Sequence, residues 1–150
     1  MKIVPVSNPK ILLVDDNRDG LVVRKSLLEE LGYRVEVAKT AEEGLKLYEA
    51  TNPHVVVTDF RMPRMDGLEL IQRIRKLDPL ARIILLSAFV EPLGLTETNT
   101  GADAVITKSA NEPVQLVRTV KRLLNRAVRK PPGSQADAAA AANRTRATSG

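Results

Sequence analysis

The chain of 150 residues contains no cysteine and no tryptophan, two phenylalanines, two tyrosines and a single histidine. The lack of cysteine removes disulfides and thiolate metal sites and fits a cytoplasmic address. No apolar run approaches the roughly 18 to 20 residues that a membrane helix needs. The N-terminal MKIVPVSNPK lacks the apolar stretch and small-residue cleavage pattern of a secretory signal. With 43% hydrophobic and 27% charged residues the balance is that of a soluble globular protein, and the length suits one domain. The formal charge of +5 is localised. Residues 1–120 carry 16 Lys and Arg against 17 Asp and Glu, whereas residues 121–150 carry 7 against 1. Lys121, Arg122, Arg126, Arg129 and Lys130 are expected on a last helix, where cations suit the helix dipole and solvate an outer face. With no aromatic residue interleaved, that run does not point to nucleic acid.

Short apolar runs alternate with helical periodicity along most of the chain. Lys10 to Val14 reads as a strand that stops at Asp15, Asp16 and Asn17, and Leu21 to Leu31 repeats apolar residues at helical spacing before Gly32. Arg34 to Ala38 is a second strand, followed by a helix opened by the capping-box pattern Thr40 to Glu43 and ended before Pro53. Val55 to Asp59 is a third strand, with a helix from about Leu68 to Leu77. Arg82 to Ser87 and Ala104 to Thr107 are the fourth and fifth, and Val114, Val117, Val120 and Leu124 are expected to form the buried stripe of a final helix. Five strands alternating with helices give an α/β fold, a doubly wound parallel sheet with helices on both faces. The crossover after the fourth strand, VEPLGLTETNT, holds Pro92, Gly94 and three threonines and predicts a short or irregular helix. Residues 1–9 read as an N-terminal extension, 10–130 as the domain, and 131–150, which are Pro, Gly, Ala and small polar residues without an apolar stripe, as a disordered tail too short for an output domain.

In an open parallel sheet, ligands bind outside the carboxyl ends of the strands. Asp15 and Asp16 follow strand one, Asp59 ends strand three, Ser87 ends strand four and Lys108 follows strand five, so all five should meet at one edge. Clustered carboxylates raise one another's pKa unless a cation sits among them. With no cysteine and no usable histidine, hard oxygen ligands favour Mg²⁺. The remaining groups suit a phosphoryl transfer: Lys108 and Mg²⁺ neutralise the phosphoryl oxygens, the Ser87 hydroxyl donates a hydrogen bond, and Asp59 attacks phosphorus to become an acyl phosphate.

ILLVDDN, VVVTDFRMPRMDG, IILLSA and VITK, in this order and each at a strand end, resemble the receiver domain of two-component response regulators, of the single-domain, chemotaxis-regulator-like kind, from about Lys10 to Arg129. The resemblance implies a flavodoxin-like sheet of order 2-1-3-4-5. It assigns Asp59 as phosphoacceptor, Asp16, Asp59 and the Arg61 backbone carbonyl as Mg²⁺ ligands with Asp15 as the supporting acid, Ser87 as the hydroxyl that senses the phosphoryl group, and Lys108 as its cation. Met62, Pro63, Asp66 and Gly67 match the loop after the acceptor. It also implies a bacterial signalling phosphoacceptor rather than an enzyme, fed by a sensor histidine kinase or histidine phosphotransfer protein. Its signal would pass to a downstream protein partner or onward along a phosphorelay, with no DNA-binding domain of its own and no membrane contact.

The chain departs from the family pattern on one surface. Val105 stands where an aromatic switch residue is usual and Ser109 where a proline in a cis peptide is usual, and the weak fourth helix lies on the same face. A cis bond before serine would cost about 3 to 4 kcal/mol, which predicts a trans peptide. These departures suggest an output that works by ordering residues 89–103. They also keep open a second reading, a pseudo-receiver that binds partners without phosphorylation. A Mg²⁺-dependent phosphatase would place a second acid two residues after the nucleophile, where this chain has Arg61. Arg61 and Phe89 are expected to flank the path of a hydrolytic water. His54 is expected to be a solvated edge residue, and Met62 and Met65 to pack the loop.

Overall fold

The computed structural model describes residues 8–126, so most of the expected N-terminal extension, Arg129 and Lys130 of the basic run, and the expected tail at 131–150 lie outside the described residues. In chain order the elements are β1 (Lys10–Val14), α1 (Arg18–Glu30), β2 (Arg34–Ala38), α2 (Ala41–Thr51), β3 (Val55–Asp59), α3 (Gly67–Leu77), β4 (Ile83–Ser87), α4 (Val90–Leu93), α5 (Glu97–Thr100), β5 (Ala104–Thr107) and α6 (Glu112–Leu124). The strands form one parallel sheet of order β2-β1-β3-β4-β5.

Alternation along the strands divides the core in two, because successive side chains point to opposite faces. Leu12, Val14, Val56, Ile83 and Leu85 face α2 and α3, where Tyr48, Leu70, Ile71 and Ile74 close the layer. Ile11, Leu13, Val55, Val57, Ile84 and Leu86 face α1 and α6, where Leu21, Leu28, Leu116, Val120 and Leu123 do the same. β3 and β4 are buried along their whole length. With apolar faces on both sides, the polar ends of these strands are the places left for chemistry.

Local signals set the helix boundaries. Asn17, Thr40 and Asp66 each accept a backbone N–H from the first turn of α1, α2 and α3. The capping box expected at Thr40 forms by half: the Thr40 hydroxyl takes the Glu43 N–H, but the Glu43 carboxylate takes the N–H of Lys39, one residue before the cap. The crossover after β4 is two four-residue helices, α4 and α5, split at Gly94 with φ of 63°. No peptide bond among the described residues is cis, so the one before Ser109 is trans.

Two expectations need correction. The buried stripe of α6 is Leu116, Thr119, Val120 and Leu123, whereas Val114 is 52% exposed and Val117 and Leu124 are half-buried. At about 100° per residue, Val114 sits on the opposite side of the helix from Leu116. His54 is not a solvated edge residue: it is half-buried and its Nδ1 accepts the Lys10 backbone N–H at 3.0 Å, tying the start of β3 to the start of β1. Burial, with the charges of Lys10 and Arg82, lowers its pKa below the ordinary 6.5.

The unfolded chain therefore takes up a proton on His54 before the folded one does, and stability should fall as the pH drops from 6.5 through the lower folded value. Urea unfolding at pH 7.5 and 5.5 should show a smaller loss in His54→Gln than in the parent.

Candidate functional site

The site lies at the carboxyl edge of the sheet. β1 and β3 are neighbours, paired with Leu13 opposite Val57 and Val14 opposite Thr58, so Asp15 and Asp59 emerge side by side. Carboxylate oxygens of Asp15, Asp16 and Asp59 all lie within 4.8 Å of one another. Asp15 and Asp59 are buried at 3% and 8% exposure, while Asp16 is exposed. β5 delivers the cation: Lys108 Nζ stands 2.7 Å from Asp59 Oδ1 and 3.5 Å from Asp15 Oδ2. Ser87 is buried at the end of β4, one residue beyond the partner of Asp59 in the sheet register, and its Oγ accepts the Phe89 N–H at 2.9 Å.

Burial is the main force on Asp59 and pushes its carboxyl above the ordinary 3.8; the Lys108 ion pair pulls it back and the Asp15 charge pushes it further up. Asp15, Asp16 and Asp59 have only Lys108 and an arginine of α1, Arg24, which is shared with Glu112, to balance them, so the cluster is short of positive charge. The donor set is all oxygen, with one acid open to solvent, and fits Mg²⁺, which holds a few carboxylates and keeps several waters.

The loop after β3 is packed from both sides. Met62 and Met65 turn inward to the core facing α2 and α3, as their loop-packing role requires. Gly67 opens α3 against the backbone of Asp59 and its neighbour: its N–H donates to Phe60 O at 2.8 Å, and a Cβ at this position would stand 2.2 Å from Asp59 O. Arg61 is exposed and its guanidinium lies 4.6 Å from the Phe89 ring centre and 5.6 Å from that of Phe60. Both phenylalanines of the chain thus stand beside one cation at the mouth of the site.

Asp15, Asp16, Asp59, Ser87 and Lys108, singled out in the sequence, share this edge. One further group does too, and no sequence signal pointed to it. Arg24 of α1 reaches back to Asp15, Nη1 to Oδ2 at 3.1 Å, and grips Glu112 of α6 at two points, 3.2 and 2.9 Å. Burial disfavours the charged guanidinium, but Glu112 and Asp15 outweigh it and hold its pKa above the ordinary arginine value. The Arg24 and Glu112 positions are 88 residues apart, so no local pattern could pair them.

Comparison with known proteins agrees with this fold. Residues 11–121 match the family model described as the response regulator receiver domain. The chain is 34% identical over 132 residues to the alkaline phosphatase synthesis transcriptional regulatory protein PhoP of Bacillus subtilis, a match covering 85% of this chain and 53% of that protein. It is 36% identical over 115 residues to an uncharacterised 14.6 kDa protein of Leptolyngbya boryana, covering 75% of this chain and 87% of that one. The chain thus spans about half the length of the first of these relatives and most of the second. Among solved structures, a CheY-like receiver domain protein of Methanospirillum hungatei is similar with a TM-score of 0.73 at 36% identity, covering 79% of this chain and 95% of that one. The response regulator TrrA of Thermotoga maritima, solved in complex with Mg²⁺ and BeF, is similar with a TM-score of 0.70 at 36% identity, covering 77% and 98%.

Proposed function

The chain belongs to the response regulator receiver family, and from that membership we propose that Asp59 is its phosphoacceptor. The observation that carries this reading is Lys108 Nζ at 2.7 Å from Asp59 Oδ1, in the middle of the three-carboxylate cluster. An Asp59 oxygen attacks phosphorus, the bond from phosphorus to the donor nitrogen or oxygen breaks, and the donor leaves with the electron pair. The Lys108 ammonium, freed from the Asp59 carboxylate as it becomes an acyl phosphate, pairs with a phosphoryl oxygen, and the Ser87 hydroxyl donates to another. Asp15, Asp16, Asp59 and the Arg61 carbonyl would hold Mg²⁺, which supplies charge neutralisation at the transferring group. The donor is a sensor histidine kinase or a histidine phosphotransfer protein, and the listener is a protein partner or the next histidine in a relay.

The test is incubation with Mg²⁺ and acetyl phosphate, followed by intact mass. A phosphoryl adduct on the parent that is absent from Asp59→Asn supports the reading. No adduct, with Mg²⁺ binding intact, overturns it in favour of the pseudo-receiver, which draws its support from Val105: with no large ring at this position, the usual rotamer switch has no lever. Phosphorylation should instead act on α4 and α5 and raise amide-exchange protection across residues 89–103.

The stacked Arg61 and Phe89 cover the approach to the acyl phosphate and slow attack by water. Arg61→Ala with Phe89→Ala should lose its phosphoryl group several-fold faster than the parent after removal of the donor. A rate equal to the parent's would remove this role.

A further inference from the structure

Asp15 Oδ2 serves two cations at once, Lys108 at 3.5 Å and Arg24 at 3.1 Å. Lys108 belongs to the phosphoryl chemistry, whereas Arg24 makes no contact with Asp59 among its hydrogen bonds and ion pairs. Its guanidinium is shared between Asp15 at the end of β1 and Glu112 in the first turn of α6. The three side chains are largely buried, at 12%, 4% and 8% exposure, so solvent screens their charges weakly. Glycine at position 20 leaves room for this placement of the guanidinium. A Cβ there would lie 2.8 Å from Arg24 Nη1 and 3.5 Å from Asp15 Oδ2, in the space the guanidinium crosses. Glycine inside a helix costs about 1 kcal/mol against alanine, so its presence one turn before Arg24 favours the crossing over helix propensity.

We propose that Arg24 is a positioning residue that competes with the divalent cation for Asp15 and passes the outcome to α6: a cation arriving on Asp15 repels the guanidinium, which shifts its pairing onto Glu112. This rests on the proposal that the acid cluster holds a divalent cation. The consequence is a link from the site to the α1 and α6 face of the sheet that does not involve Val105. Arg24 lowers cation affinity by its charge, and Glu112 restores part of it by drawing that charge away from Asp15.

Competition and a purely structural role predict different signs. Calorimetric titration of the full chain with magnesium chloride at low ionic strength is the experiment. Arg24→Gln should bind Mg²⁺ roughly three- to tenfold more tightly than the parent, because one buried positive charge beside the site is gone. Glu112→Gln should bind more weakly by a similar factor, because the guanidinium then rests wholly on Asp15. The double variant should match Arg24→Gln within about twofold, since Glu112 acts through Arg24. Gly20→Ala, which removes no charge and favours the helix, should also tighten binding by displacing Nη1 from Asp15, and keeps the test alive if Arg24→Gln leaves Glu112 unpaired and folds poorly. Weaker binding in all the variants, or no change, would overturn the proposal while leaving the cation site intact. A parent that binds no Mg²⁺ would overturn both the proposal and the cation site on which it rests.

Discussion

Gly67→Ala should destabilise the domain by about 3 kcal/mol or more and remove most phosphoryl uptake from acetyl phosphate. The sign is opposite to the usual one, since alanine in a helix is favoured over glycine by about 1 kcal/mol. The reversal comes from what the methyl would meet: Asp59 O at 2.2 Å, Phe60 Cα at 3.0 Å and Asp59 C at 3.1 Å. All three are backbone atoms of Asp59 and its neighbour, so no side chain can rotate away. Either α3 lifts off the end of β3 or the Asp59 backbone moves, and a small displacement of a reacting group is costly to chemistry that depends on positioning. Urea unfolding and the acetyl phosphate assay, run side by side, check both halves. A variant as stable and as reactive as the parent would mean that α3 does not pack this closely on the Asp59 backbone.

Asp59→Asn in metal-free buffer should be more stable than the parent and melt at a higher temperature. Asp59 is buried beside Asp15, and burial raises its pKa in the folded state. A carboxyl whose folded pKa lies above its unfolded 3.8 costs stability once ionised, and that cost grows as pH rises from 3.8 through the folded value and is complete above it. Asparagine has no such charge to bury. It forfeits the ion pair with Lys108, but Lys108 keeps Asp15 at 3.5 Å. The order should reverse when Mg²⁺ is added, because a ligand at ten times its Kd stabilises the parent by about 1.4 kcal/mol and the variant lacks one of its carboxylates. Thermal melts of both proteins at neutral pH, with EDTA and then with Mg²⁺, test this crossing. A variant that melts below the parent in EDTA would show that Lys108 more than neutralises the cluster.

The alternation of short buried runs with helical periods predicted the five strands, the helices of both layers and their parallel direction, because each rests on short-range physics and crossover geometry. Side chains alternate along a strand, Thr40 and Asp66 cap the turn that follows them, and Gly94 and Pro92 weaken the helix that contains them. The candidate site was legible for a related reason: in a parallel sheet every strand delivers its carboxyl end to one edge, so Asp15, Asp59, Ser87 and Lys108 needed only their strand assignments to be placed together. Tertiary structure alone decided what depends on facing. The apolar residues of α6 cover more than one side, and its docking on Ile84, Leu86 and Ile106 buried Leu116 and Leu123 and left Val114 outside. Packing likewise turned His54 inward to accept the Lys10 N–H. The Arg24 and Glu112 pair is the extreme case, since a guanidinium on α1 meets a carboxylate on α6 only after both helices have crossed onto the same face of the sheet, and such long-range pairings leave no periodic trace in a chain.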